Sequence, residues 1–247
     1  MKLTDVKKLH QKKYRNQLGH YLVEGEHLIL ELQKAISNPA EAQRITLYVT
    51  EEHADWARQL GSGFRLEVVN DKQMAQLSDT QTPQGMLACV PLPDLSAHQS
   101  APQPGEKCIY LHEVQDPGNL GTIIRTLAWF GGFRLLLSPN SVDPFNPKVV
   151  RASMGAIFHL PIEVDVALAD LPQRFTRFAY LDLHGTPVNT PAFADYDCYL
   201  FGNEARGVPL ASVTAINGNA FTIPGSGAID SLNLANSVGI CAYQLSL

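Results

Sequence analysis

Three short stretches of this chain, each placed directly after an apolar run, hold more polar function than a turn requires. The first is Asn119-Leu-Gly121-Thr-Ile-Ile-Arg125-Thr-Leu-Ala128. Arg125 follows Gly121 by four, which puts both on one face of a helix. Set among Ile123, Ile124, Leu127 and Ala128, the guanidinium is expected near burial, where it needs an anionic partner or a ligand phosphate. An internal salt bridge would meet the same need. The second stretch is Leu200-Phe-Gly202-Asn203-Glu204-Ala205-Arg206-Gly207-Val-Pro209. It sets Asn, Glu and Arg between two glycines after a short apolar strand, the composition of a ligand loop. The third runs from Ile223-Pro224 through Gly225, Ser226 and Gly227 to Asp230, Ser231 and Asn233, where a helix rich in small residues begins. A helix N-terminus presents free N–H groups to polar or anionic ligands. Plain N-capping by Asp230 or Ser231 accounts for the same residues.

The elements that must position these turns follow from periodicity. Strands are expected at 108–114, 133–137, 178–183, 198–201 and 220–223, with helices at 120–130, 148–154, 209–213 and 231–245. This alternation predicts an open, mostly parallel α/β sheet, in which ligands collect at the carboxyl ends of strands. Upstream, a helix over 24–35 carries Leu28, Leu32 and Ala35 on one face. Strands at 45–50, 65–69 and 85–90 and helices at 51–60 and 71–77 complete a small α/β domain. Its polar 81–85 loop, Gln-Thr-Pro-Gln-Gly, lies beside the last strand. Between 91 and 105 stand four prolines with little apolar periodicity. The expected division is an N-terminal domain over 1–93, a linker over 94–106 and a C-terminal domain over 107–247.

The chain has 247 residues, 45% of them hydrophobic and 17% charged, which excludes wholesale disorder. There is no apolar run of signal-peptide or membrane-spanning length, so a cytoplasmic protein with no membrane partner is expected. Four cysteines, Cys89, Cys108, Cys198 and Cys241, show no metal spacing and read as reduced core thiols, with no metal site expected. The formal net charge is −5, yet Lys2, Lys7, Lys8, Lys12, Lys13 and Arg15 face Asp5 alone within the first 20 residues. A basic arm on an acidic body suits a phosphate backbone, and a solvated helix face would look the same.

Taken together, N-x-G-x-x-x-R-x-x-A, then F-G-N-E-x-x-G-V-P, then I-P followed by S-L-N, resemble in order and spacing the three motifs of the SpoU (TrmH-like) family of RNA 2′-O-ribose methyltransferases, within the SPOUT superfamily. The basic arm, Leu22-Val23-Glu24-Gly25 and Gln84-Gly85 are similar to that family's N-terminal substrate-binding domain. The resemblance implies a C-terminal parallel-sheet SPOUT domain with a deep trefoil knot and a small N-terminal α/β (L30e-like) domain that binds RNA. It implies S-adenosylmethionine held largely by backbone at Leu183, Gly202, Ile223 and Leu232. It makes Arg125 the catalytic arginine, with Asn119, Glu204, Ser231 and Asn233 around it, and a homodimer packed through the knot helices. Ribosomal RNA is the expected substrate and transfer RNA the alternative. Lys8, Lys12, Lys13, Arg15 and Arg151 are the expected RNA contacts, Arg151 with structural packing as the alternative role.

The third motif departs from the usual Ser-Leu-Asn-Val-Ser-Val-Ala, reading Ser231-Leu-Asn-Leu-Ala-Asn236-Ser237. That leaves an amide on the expected dimer helix. A knotted RNA-binding protein without catalysis is the rival reading, and it has no need of this polar constellation. A nicotinamide enzyme would need G-x-G-x-x-G after a strand, which the chain lacks.

Overall fold

The computed structural model describes residues 1–94, 103–229 and 231–247, so most of the expected linker and Asp230 lie outside the described residues. The chain divides into two units. One comprises Met1–Pro93 with Asp143–His159, and the other Asp94–Val142 with Leu160–Leu247. Residues 143–159, expected within the C-terminal domain, thus group with the first unit.

In the first unit the basic N-terminal stretch is folded. Helices α1 (Leu3–Val6) and α2 (Lys12–Leu18) flank a 3-10 turn and lead into strand β1 (His20–Glu24), which the sequence reading did not anticipate. Val6 and Leu9, three apart, are fully buried in a core with Leu22, Tyr48, Met74 and Leu87, which ties the segment down. Arg15 corrects the expectation that the whole cluster faces RNA, because it is 2% exposed. Its Nε donates to Asp143 at 2.8 Å, and its Nη1 donates to the carbonyls of Leu9 at 2.8 Å and His10 at 3.0 Å. A buried guanidinium needs all those acceptors, so Arg15 is a structural strut.

The unit continues through α3 (Glu26–Ala35), α4 (Pro39–Ala42), β2 (Thr46–Val49), α5 (Ala54–Gln59), β3 (Arg65–Val68), α6 (Asp71–Leu77) and β4 (Met86–Pro91). Its sheet runs β1-β4-β2-β3, with β4 antiparallel to both neighbours and β2 parallel to β3. Asn70 and Gln73 form a reciprocal capping box that starts α6.

The second unit contains β5 (Lys107–Leu111), α7 (Pro117–Phe130) and β6 (Phe133–Leu137). Helix α8 (Pro147–Ala152) returns to the first unit, and the second resumes with β7 (Ile162–Glu163), β8 (Phe178–Pro187), β9 (Cys198–Phe201), α9 (Leu210–Ala215), β10 (Asn219–Thr222) and α10 (Leu234–Leu245). All six strands are parallel, in the order β10-β8-β9-β5-β6-β7. The expected parallel α/β sheet is therefore present. Cys108, Ile109, Tyr110 and Leu111 of β5 are fully buried, as a central strand covered on both faces requires. All four cysteines are buried and free, and burial pushes the thiols of Cys89, Cys108 and Cys241 up to about 12, so they are inert packing groups.

Two further details differ from expectation. The last helix starts at Leu234, later than 231. Asn233 is its cap, accepting through Oδ1 from the N–H of Ala235 at 2.9 Å and of Asn236 at 3.3 Å. Strand β8 pairs with β10 up to Tyr180, opposite Ala220, and resumes at Thr186, opposite Phe221. Residues 181–185 therefore bulge out of the ladder. Gly185 ends the bulge, where a Cβ would stand 2.6 Å from the backbone of Ala220.

The short edge strand β7 is anchored by charge. Glu163, 2% exposed, accepts from Arg134 at 3.0 Å and from Arg174 at 2.7 and 2.8 Å, while Glu106 accepts from Arg134 at 3.1 Å. Removing Glu163 takes from both guanidiniums the buried carboxylate that accepts from them. Glu163→Ala is expected to destabilise the protein by about 3–5 kcal/mol in urea unfolding, and a loss under about 1 kcal/mol would show that the network contributes little.

Candidate functional site

The second unit holds a cavity of about 720 Å³ at the carboxyl ends of β8, β9 and β10 and the start of α10. Its wall brings together Asn119, Glu204, Ser231 and Asn233, and also Leu183, Gly202, Ile223 and Leu232. Eight of the nine residues expected to act on or hold a small molecule thus meet at one place. Its size suits a ligand of cofactor dimensions.

The geometry begins at Gly202. A Cβ there would lie 2.0 Å from the carbonyl carbon of Gly207 and 2.2 Å from the nitrogen of Val208, so glycine is required by the chain's own backbone. The loop then closes on itself. Asn203 N–H donates to Gly207 O at 3.1 Å, Gly207 N–H returns to Asn203 O at 2.8 Å, and Gly207 has φ +68°. The Asn203 side chain accepts from the N–H groups of Ala205 and Arg206 at 3.0 and 3.2 Å.

Glu204, on this loop, reaches the start of α7. Its carboxylate accepts from the N–H of Gln115 at 3.4 Å, the N–H of Asp116 at 3.5 Å and the Asn119 amide at 3.4 Å. The Asn119 Oδ1 accepts in turn from Asn233 Nδ2 at 2.9 Å. Glu204, Asn119 and Asn233, one from each polar stretch, therefore form a single hydrogen-bonded row. Asp116 caps α7, accepting from Asn119 N–H at 2.6 Å, with Pro117 pre-set at the first turn.

The wall's charged side chains among the described residues are Asp182 and Glu204, and His184 stands two residues from Asp182, its backbone N–H donating to the Asp182 carboxylate at 3.0 Å. Such a cavity favours a cationic ligand. Sequence reasoning missed Asp182 and His184, since a strand read straight through 178–183 hides the bulge that turns them into the cavity. A glycine shortly after a strand's polar end was the available signal.

Arg125 lies elsewhere. It is exposed and absent from the cavity wall, which corrects the expected burial. On α7, Leu120, Gly121, Ile123, Ile124 and Leu127 are buried, whereas Thr122, Arg125 and Trp129 recur at helical spacing on the exposed side. Helices α7 and α10 run side by side in the same direction, joined by the Asn119–Asn233 bond at one end and by the rings of Phe130 and Tyr243, 5.9 Å apart, at the other. Their outer faces leave Trp129 84%, Ile240 41% and Tyr243 54% exposed. Asn236 is exposed too.

In the first unit, Lys8, Lys12 and Lys13 are exposed, with Lys8 and Lys13 each 5.8 Å from the centre of the Tyr14 ring and Lys8 paired with Asp5 at 2.8 Å. Arg151 pairs with Asp79 at 3.1 Å. Among the described residues no group of three His, Cys, Asp or Glu side chains could hold a metal ion, and no helix is long and apolar enough to cross a membrane.

A family model described as the SpoU rRNA methylase family matches residues 106–243, and one described as an MRM3-like substrate-binding domain matches residues 1–88. The chain is 28% identical to the 23S rRNA (guanosine(2553)-2′-O)-methyltransferase RlmP of Bacillus subtilis, over 99% of its own length and 95% of that protein. It is 30% identical to an uncharacterized tRNA/rRNA methyltransferase of Synechocystis, over 98% of its own length and 89% of that protein. Among solved structures, an AdoMet-bound rRNA methyltransferase from Sinorhizobium meliloti matches with a TM-score of 0.81 at 28% identity, covering 98% of this chain and 93% of that one.

Proposed function

This chain belongs to the SpoU rRNA methylase family, and from that premise we propose that it is an S-adenosylmethionine-dependent enzyme methylating the ribose 2′-hydroxyl of a structured RNA, ribosomal RNA foremost. The observation that carries the reading is the meeting of eight of the nine expected site residues in the wall of one cavity.

The cavity fits the cofactor. Its wall sets the apolar Leu181, Leu183, Ile223 and Leu232 beside polar Asn119, Ser231 and Asn233, and its charged side chains among the described residues, Asp182 and Glu204, are acids, which suits a sulfonium and an ammonium group. Leu183, Gly202, Ile223 and Leu232 would hold it. When bound, S-adenosylmethionine supplies the methyl group. The chain's own residues position the other reactant. The row from Glu204 through Asn119 to Asn233 fixes polar atoms at the cavity mouth, and a ribose held there gains the acceleration of alignment, on the order of 7–11 kcal/mol in favourable systems. A guanidinium offers N–H donors and no acceptor, so the part of Arg125 is to hold a phosphate or to stabilise charge developing on the hydroxyl oxygen, not to remove the proton.

The reading includes an RNA-binding part over 1–93, a methyltransferase part over 107–247 with its knot, and a cytoplasmic setting. It also includes a homodimer through the outer faces of α7 and α10, supported by the exposed Trp129, Ile240 and Tyr243. Exposed Lys8, Lys12 and Lys13 support phosphate binding by the first unit.

The test is methyl transfer from labelled S-adenosylmethionine to ribosomal and transfer RNA from cells lacking the protein, read by nucleoside mass spectrometry. A 2′-O-methylnucleoside in ribosomal RNA is expected. Product confined to transfer RNA would overturn the choice of substrate, and cofactor binding without product on any RNA pool or on assembly intermediates would favour the non-catalytic binder.

A further inference from the structure

We propose that Glu113 is a positioning residue, latching the loop from Gly202 to Gly207 in the shape that accepts the cofactor; the inference rests on the functional reading above. Glu113 follows β5 and has φ +51°, a left-handed conformation that a long side chain adopts only when its surroundings impose it. Asn140, Asp165 and Asn217 share that conformation, which Asn and Asp tolerate, and so does Met154 at φ +51°; what distinguishes Glu113 is that its bonds reach the loop at the cavity.

Four interactions hold Glu113 there. Its N–H donates to Ser138 Oγ at 2.7 Å, and its carbonyl accepts from Asn203 Nδ2 at 2.8 Å and from Gln115 Nε2 at 3.0 Å. Its carboxylate pairs with Arg206. Asn203 and Arg206 bracket Glu204, so Glu113 grips the loop on both sides of a residue that lines the cavity. Glu204 reaches back to the N–H groups of Gln115 and Asp116, directly beyond Glu113. Each loop therefore holds the other.

The grip has two separable halves. The carbonyl bond to Asn203 survives any side-chain change, whereas the ion pair to Arg206 needs the carboxylate. Glycine would take φ +51° without strain, so a glutamate at this point is accounted for by what its side chain does. Strain retained for a positioned loop gives a diagnostic sign: relieving it should leave stability intact or raised while weakening binding.

The experiment measures S-adenosylmethionine affinity by calorimetry, thermal unfolding, and KM and kcat for the full chain and for Glu113→Gly, Glu113→Gln, Arg206→Met and the Gln/Met double variant. Loosening the loop lowers the competent fraction, so Kd is expected to rise about 5–20-fold in each single variant. The double variant should lose no more than the worse single, because both remove one latch. KM for the cofactor should rise with kcat little changed, and Tm of Glu113→Gly should not fall. Single variants that bind within about twofold of wild type would overturn the inference, as would a Tm loss above about 5 °C in Glu113→Gly accompanying weaker binding. Wild-type protein that binds no S-adenosylmethionine would instead overturn the functional reading on which the inference stands.

Discussion

Gly202→Ala is expected to lower methyl transfer by about 100-fold or more and to weaken S-adenosylmethionine binding with it, since a displacement of roughly 1 Å at a positioned site can cost that much in rate. The added carbon would meet Gly207 C at 2.0 Å, Val208 N at 2.2 Å and Gly207 O at 2.3 Å. All three are backbone atoms tied into the loop by the paired hydrogen bonds between Asn203 and Gly207, so no rotamer change can make room. The 203–207 segment must swing away from β9, taking Glu204 from the N–H groups of Gln115 and Asp116. Methyl-transfer rates and calorimetry beside thermal unfolding check this, with Gly225→Ala as the control, since a Cβ at Gly225 meets nothing within 4 Å. Near-normal affinity in Gly202→Ala would mean that the loop yields freely and that the cavity is not shaped by this contact.

Gly202 also marks how far the sequence could be read. The motif located it, and the resemblance implied a cofactor beside it, yet the steric demand comes from five residues further along the same chain. Apolar runs located the parallel strands because strands buried on both faces carry little else. They did not reveal Ile162–Glu163, where the strand is two residues long and one of them is an acid buried by Arg134 and Arg174. His20–Glu24 was absorbed into the polar segments around it. Arg15 and Arg125 failed in opposite directions. Arg15 belongs to a run of exposed lysines but is buried by Asp143, 128 residues distant in sequence. Arg125 is set among apolar neighbours, but helical spacing turns it to the stripe of Thr122 and Trp129. Side-chain identity fixes what a residue can do, while its partner across the fold decides whether it is free to do it.

The exposed position of Arg125 leads to the second large effect. Arg125→Ala is expected to lower methyl transfer by about 10³-fold if the guanidinium stabilises charge at the reacting oxygen, with cofactor affinity unchanged because Arg125 is outside the cavity wall. The residue shares the outer surface of α7 and α10 with Trp129, Ile240 and Tyr243, the face proposed for the homodimer. In that dimer Arg125 would act on the cavity of the partner subunit. Glu204→Ala disables the cavity of its own chain and leaves Arg125 in place. Both homodimers should then be nearly inactive, whereas an equal mixture of refolded chains should recover about a quarter of wild-type activity, since half the dimers are mixed and each holds one complete site. If Arg125 serves its own chain, every site in the mixed dimer lacks one component, and recovery stays at background. Size measurement with differently tagged chains confirms that mixed dimers form, so absence of recovery would count directly against action across the interface. Arg125→Lys should not substitute in either case, because an ammonium lacks the planar pair of donors that a phosphate or a developing alkoxide engages.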